Sequence, residues 1–181
     1  STFNGCTSLT TVPNIPDSVT DMTRTFQGCS SLTTAPNIGN SVTDMTETFR
    51  GCTSLTTVPT LPNSVTSMNF TFRGCTSLTT VPNIPDSVTN MANTFRECTS
   101  FTVIDTTNWD TGNVTDISGL FYGCNKLTEI KGIENWNTSK VANVWDLFFN
   151  CSSIEYMDLS QWDMSNMTST GCMYRHCSSL R

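Results

Sequence analysis

Charge is what this sequence has least of. Only 13% of its 181 residues are Asp, Glu, Lys or Arg, against roughly 25% in an ordinary soluble domain. Nine Lys and Arg face fifteen Asp and Glu, for a formal net charge of -6. The basic residues never cluster. A nucleic-acid partner is therefore not expected, because affinity for a phosphate backbone comes from gathered Lys and Arg. An anionic membrane surface is disfavoured on the same ground. No apolar run approaches the roughly 18 residues of a membrane span, so direct insertion of this chain into a bilayer is not expected either. Histidine is nearly absent: His176 stands alone, which leaves zinc chemistry short of ligands. The chain opens at Ser1 without Met, as a segment of a longer protein would, so the lack of a signal peptide in it says nothing about secretion.

Thr, Ser and Asn fill the space that charge leaves, yet the chain is not of the disordered kind. Large apolar residues recur at fixed intervals, which disordered chains lack. The interval is clearest in cysteine. Cys6, Cys29, Cys52, Cys75 and Cys98 are 23 residues apart, and Cys124, Cys151 and Cys177 follow at steps of 26, 27 and 26. Other columns keep step. Phe26, Phe49, Phe72, Phe95, Phe121 and Phe148 each precede a Cys by three, and Leu32, Leu55, Leu78 and Leu127 each follow one by three. A Val column stands ten before the Cys from Val19 to Val141, with Met167 last, and a Met column seven before, turning to Ile117 and Val144 late in the chain and broken by Thr170. One such repeat buries too little to fold alone, so neighbours must stack into a solenoid.

Within a repeat, Val19, Met22, Phe26 and Cys29 fall on the spacing of one helical face. Ser18 with Asp21, and Ser41 with Asp44, read as N-caps of that helix. Leu9 to Val12 reads as a short strand, and stacked strands would form a parallel sheet. Pro13, Pro36, Pro59 and Pro82 close these strands early, because proline cannot donate to a ladder. The fold class is thus a leucine-rich-repeat type of solenoid, with short parallel strands on one face and short helical segments on the other. Residues 1–181 form one solenoid. Residues 1–97 hold the short repeats; residues 98–181 hold longer ones, each carrying a tryptophan: Trp109, Trp136 and Trp162. Neither end is capped, so the intact protein is expected to continue or to be covered by another chain, end-to-end self-association included.

The pattern L-x-x-V-P-x-I-P-x-S-V-x-x-M-x-x-x-F-x-x-C resembles the BspA-like leucine-rich repeats of bacterial, and some protist, surface proteins. The stretch W-D-T-G-N-V-T-D-I-S-G-L-F-Y-G-C at 109–124 resembles a related repeat of secreted and lipoprotein-anchored proteins of mycoplasmas and gut bacteria. The resemblance covers the whole chain. It implies an extracellular or cell-surface location, adhesion to a protein or glycan on a host or neighbouring cell, and no catalytic or metal motif.

The residues themselves point the same way. The ladder cysteines read as a buried, reduced thiol column; Cys172, off the ladder, would be exposed. Cys172 and His176 would approach only on a helix, and no third residue is evident to orient the base. No catalytic, cofactor or metal residues are assigned. Asp105, Asp110 and Asp116, with Asn108 and Asn113, read as turn and capping residues and not as a calcium site. Arg50, Arg73 and Arg96 read as a solvated stripe beside Glu47 and Glu97. Asn69, Asn113, Asn137, Asn150 and Asn166 head N-x-S/T triplets, which matter only in a glycosylating host.

The strand face is the best candidate site. Two outward columns are expected: Thr11, Thr34, Thr57, Thr80, Val103, Glu129 and Tyr156, and Pro13, Pro36, Pro59, Pro82, Asp105, Lys131 and Asp158. The columns are uniform early and varied late, so the ligand-binding residues are placed at Glu129, Lys131, Tyr156 and Asp158. Trp145, alone among Thr, Asn, Ala, Ser and Gly in its column, is added as an exposed anchor. The leading expectation is a non-catalytic binding or adhesion module. A structural spacer or self-assembling array is the rival. Ice binding through threonine ladders is a third reading and ranks last, because Thr10 and Thr11 are adjacent and the regular T-x-T face is missing.

Overall fold

The computed structural model describes residues 2–181; Ser1 lies outside them. The chain winds as a stack of coils whose columns run along it. Phe3, Phe26, Phe49, Phe72 and Phe95 lie ring over ring at 5.5 to 5.6 Å. The Met, Phe, Cys and Leu columns of the inner coils are fully buried.

The segment expected to be helical is not a helix. From the Met to the Cys of each repeat the chain makes two consecutive four-residue turns. The Thr25 N–H donates to the Met22 carbonyl at 3.0 Å, and the Cys29 N–H donates to the Phe26 carbonyl at 3.1 Å. The third residue of each turn has a positive φ, for example Arg24 at 56° and Gly28 at 72°. That repeated left-handed step cannot continue as an α-helix. The remaining donors leave the coil altogether. The N–H groups of Met22, Arg24, Phe26 and Gly28 donate to the carbonyls of Asp44, Thr46, Thr48 and Arg50 in the next coil, at 2.7 to 3.0 Å. Asp21 and Asp44 are therefore not helix caps. Each accepts the N–H two residues on, from Thr23 and Thr46, and so shapes the entry to its turn.

Two side-chain columns finish the turn wall. The Thr48 hydroxyl donates to the Met22 carbonyl at 2.9 Å, and Thr71 and Thr94 repeat this one and two coils on. The cysteines do the same for the second turn: Cys52 Sγ donates to the Phe26 carbonyl at 3.1 Å, Cys75 to Phe49 and Cys98 to Phe72 at 3.2 Å. The thiol column is thus a donor ladder as well as core. Burial pushes the Cys52 and Cys124 thiols up to about 12 and raises the Cys75, Cys98 and Cys151 thiols well above their ordinary value, so these sulfurs stay protonated and able to donate. Cys6 is the exposed cysteine; Cys172 is half-buried.

Among the described residues, paired strands form only in the long coils. Strand β1 (Val103–Asp105) runs parallel to β2 (Glu129–Lys131), with Ile104 opposite Ile130 and both buried. In the short coils the same wall makes a single bridge, Thr34 to Thr57. The proline column explains this, though not as expected. Pro36, Pro59 and Pro82 face inward and are buried, whereas Asp105, Lys131 and Asp158 at the matching places are exposed. A second expectation also changes. Both members of each Thr pair are exposed, at Thr10 and Thr11, Thr33 and Thr34, Thr56 and Thr57, and Thr79 and Thr80. Without a paired strand the side chains do not alternate strictly, so adjacent residues need not face opposite ways. The T-x-T spacing is still missing.

Candidate functional site

In the long coils the loss of proline restores an alternating strand. Ile104 and Ile130 go into the core, and their neighbours go out: Val103 and Glu129 on one column, Asp105 and Lys131 on the next. After β2 the chain turns sharply at Gly132, whose φ is 82°. A Cβ there would stand 2.6 Å from the Thr107 Cα, so only glycine lets the two loops pass. A single 3-10 turn, Ile133–Asn135, follows. It is tied down from below. The Trp136 indole N–H donates to Thr106 Oγ1 at 3.1 Å, and that hydroxyl donates to the Lys131 carbonyl at 2.7 Å.

The result is a cleft of about 430 Å³ between β2, the Gly132 loop and the next coil. Its floor is Ile130, Gly132 and Ile133; Lys131, Glu134, Tyr156 and Asp158 stand around it. Four of the five sequence-assigned residues, Glu129, Lys131, Tyr156 and Asp158, line this one cleft. Tyr156 is 71% exposed. The Asp158 carboxyl is held below the usual carboxylate range, first by the Ser160 backbone N–H and then by the Ser160 side chain. Asp105 is held low first by the Thr107 hydroxyl and then by the Thr107 N–H, with Lys131 adding to it. These acids are therefore charged at neutral pH.

Trp145 is not part of the cleft. It sits on the turn wall, 49% exposed, with its ring laid over Gly171. A Cβ on Gly171 would come 2.3 Å from the ring, so the missing side chain is the seat of the indole. Thr107, Gly132, Ile133 and Glu134 are cleft residues that sequence reasoning passed over. The available signal was the extra length of the 130s repeat, with a glycine directly after the strand.

Similar concavities recur along the same wall in the short coils. One of about 400 Å³ is lined by Asn37, Ile38, Asn40, Thr60, Leu61, Pro62 and Asn63. It carries no charge. The other polar candidates are consumed locally. Asp105, Asp110 and Asp116 each accept the N–H two residues on. Among the described residues no group of three or more His, Cys, Asp or Glu is placed to hold a metal. Cys172 and His176 fall in two successive turns with positive φ and not on a helix, and the His176 ring stands edge-on to Phe149 at 5.1 Å. Arg50 and Arg24 both bind the buried Glu47 carboxylate, at 2.7 and 2.8 Å. Arg96 lies over the Tyr122 ring at 3.6 Å. No helix among the described residues is long and apolar enough to cross a membrane.

Two family models together span the chain. The BspA type leucine rich repeat region matches residues 1–102 in six copies. A family described as Mycoplasma protein of unknown function, DUF285, matches residues 89–181. No curated protein sequence matches. Two solved structures are similar. The T. pallidum leucine-rich repeat protein (TpLRR) is 28% identical with a TM-score of 0.60, over 72% of this chain and 59% of that one. A leucine-rich repeat protein from Bacteroides ovatus ATCC 8483 is 20% identical with a TM-score of 0.54, over 98% of this chain and 67% of that one. The second likeness is one of fold alone. The stacked coils, the Cys, Phe and Leu columns and the six-copy match agree: the chain belongs to the BspA-type leucine-rich repeat family.

Proposed function

We propose that this chain is a non-catalytic interaction module displayed outside the cell, and that it holds a protein or glycan ligand at the long-coil strand face. The observation that carries this reading is the cleft itself. It gathers Glu129, Lys131, Tyr156 and Asp158 at one concavity, and its charges are free of the ion pairs found elsewhere in the chain. An exposed aromatic beside unpaired charges at one concavity is the kind of surface that makes a specific contact. The match to the BspA-type repeat family supports the cell-surface part of this reading.

The test is biolayer interferometry of the chain against a panel of matrix proteins and glycans. A variant with Glu129, Lys131, Tyr156 and Asp158 all changed to Ser runs beside it. Saturable binding that falls at least about tenfold in the variant is expected, a loss of about 1.4 kcal/mol. Binding that the variant retains would move the site off this face. A second reading, a spacer or self-assembling array, is favoured by the uncharged and nearly identical walls of the short coils. Light scattering over a concentration series separates the two, since an array grows with concentration and a monomeric module does not.

A further inference from the structure

The outward face of the long coils is a small grid. Its first column is Val103, Glu129 and Tyr156; its second is Asp105, Lys131 and Asp158. Val103 and Asp105 stand directly opposite Glu129 and Lys131 across the paired strands, about 4.8 Å away, and Tyr156 and Asp158 continue the columns across the cleft. In the second column a lysine stands between two carboxylates, so the column largely answers its own charge. The first column does not. Among the described residues the ion pairs all lie in the short coils, on Glu47 and Glu97. Glu129 has no cation. It is bracketed instead by two exposed apolar side chains, Val103 at 42% and Tyr156 at 71%. Glu134 and Asp158 add negative charge at the cleft, against Lys131 alone.

A carboxylate between an aliphatic and an aromatic surface is the complement of a guanidinium on an alkyl stem. The fork can donate twice to the carboxylate, its plane can lie on the tyrosine ring, and its methylenes can cover Val103. A lysine could satisfy the charge but not the planar stacking. An anionic ligand would meet three carboxylates. We infer that the cleft takes an arginine side chain from an extended segment of a partner protein, seated between Glu129 and Tyr156. This rests on the strand-face reading above and names the chemistry of its partner.

The probe is an array of capped nine-residue peptides on a Ser/Ala/Val background, carrying Arg, Lys, citrulline or Glu at the central place. Phosphoserine and sulfotyrosine peptides complete the set, and all are read with the full chain. The expected result is Arg bound about tenfold better than citrulline, with Lys between them. Glu129→Gln should abolish that preference, and Glu129→Lys should turn it toward Glu. Both variants alter an exposed side chain, and unchanged circular dichroism and melting verify their fold. Binding without preference for Arg, but lost in the four-residue variant, would overturn the arginine and leave the strand-face reading standing. Selection of Glu, phosphoserine or sulfotyrosine by the unmodified chain would overturn it too. Binding to neither the array nor the panel would sink both readings.

Discussion

The coils before residue 98 close their turn wall with hydroxyl donors, and the coils after it close the same wall with apolar bulk. Thr48, Thr71 and Thr94 are buried and bond the carbonyls of the coil before. Leu120, Leu147 and Met173 hold that place later and bond nothing there. Ahead of the Val column the short coils carry Ile38, Leu61 and Ile84, and the long coils carry Trp109, Trp136 and Trp162. The indoles stack at 5.2 and 5.7 Å and continue against Phe95 and Phe121. The difference teaches how a varied, charged face is released from a repetitive one. Once the rings supply the core, the inward prolines are no longer required. The wall regains its N–H groups, β1 and β2 pair, and their side chains alternate. Only then do charged residues stand in a row on the outside.

The largest break in this comparison should come from Trp136→Ala. Loss of a buried ring of this size costs about 3–5 kcal/mol, read by urea denaturation. Hydrogen exchange should accelerate across residues 98–181 while the short coils keep their protection, because coils contact only neighbours. Equal loss of protection along the whole chain would mean that the two kinds of coil unfold as one. Glu47→Gln should act on the short coils alone. Its carboxyl is held below the usual range, first by the Arg24 hydrogen bond and then also by Arg50. A depressed acid stabilises the fold above the unfolded carboxylate range and loses that contribution as pH falls through its folded value. The variant should therefore be about 1–2 kcal/mol less stable at neutral pH, and thermal melts should show the gap closing in acid. A gap that persists at low pH would show that shape, not charge, matters there. Gly171→Ala should do least, within about 0.5 kcal/mol as at most surface sites. The Trp145 indole must swing off its seat, and a shifted emission maximum is the expected sign.

Much of this was legible in the sequence, and the failures have physical causes. The columns of Cys, Phe and Leu name the core because each coil can bury its side chains only against its copies. The helix was misread because two four-residue turns place Met22 and Phe26 four apart, the same interval as a helical turn. The pattern of apolar residues could not separate these; the residues at positive φ could. Gly5, Gly28, Gly51 and Gly74 recur where no helix would want them. The outward columns were right at Glu129 and Lys131, where strands pair, and wrong at the prolines, where they do not. Trp145 was correctly singled out as exposed, but its place over Gly171 depends on two adjacent coils and not on either alone.

The hydrogen bonds of the turn wall have a direction. On that wall the N–H groups of Met22, Arg24, Phe26 and Gly28, and their counterparts at Met45, Glu47, Phe49 and Gly51, all reach toward the following coil. The backbone donors of these turns therefore point one way along the stack, while the Thr48 hydroxyl and the Cys52 thiol point back the other way, to the Met22 and Phe26 carbonyls. The two surfaces of a coil are thus different and complementary, and translation head to tail matches all of these donors with acceptors at once, which gives the wall a built-in sense.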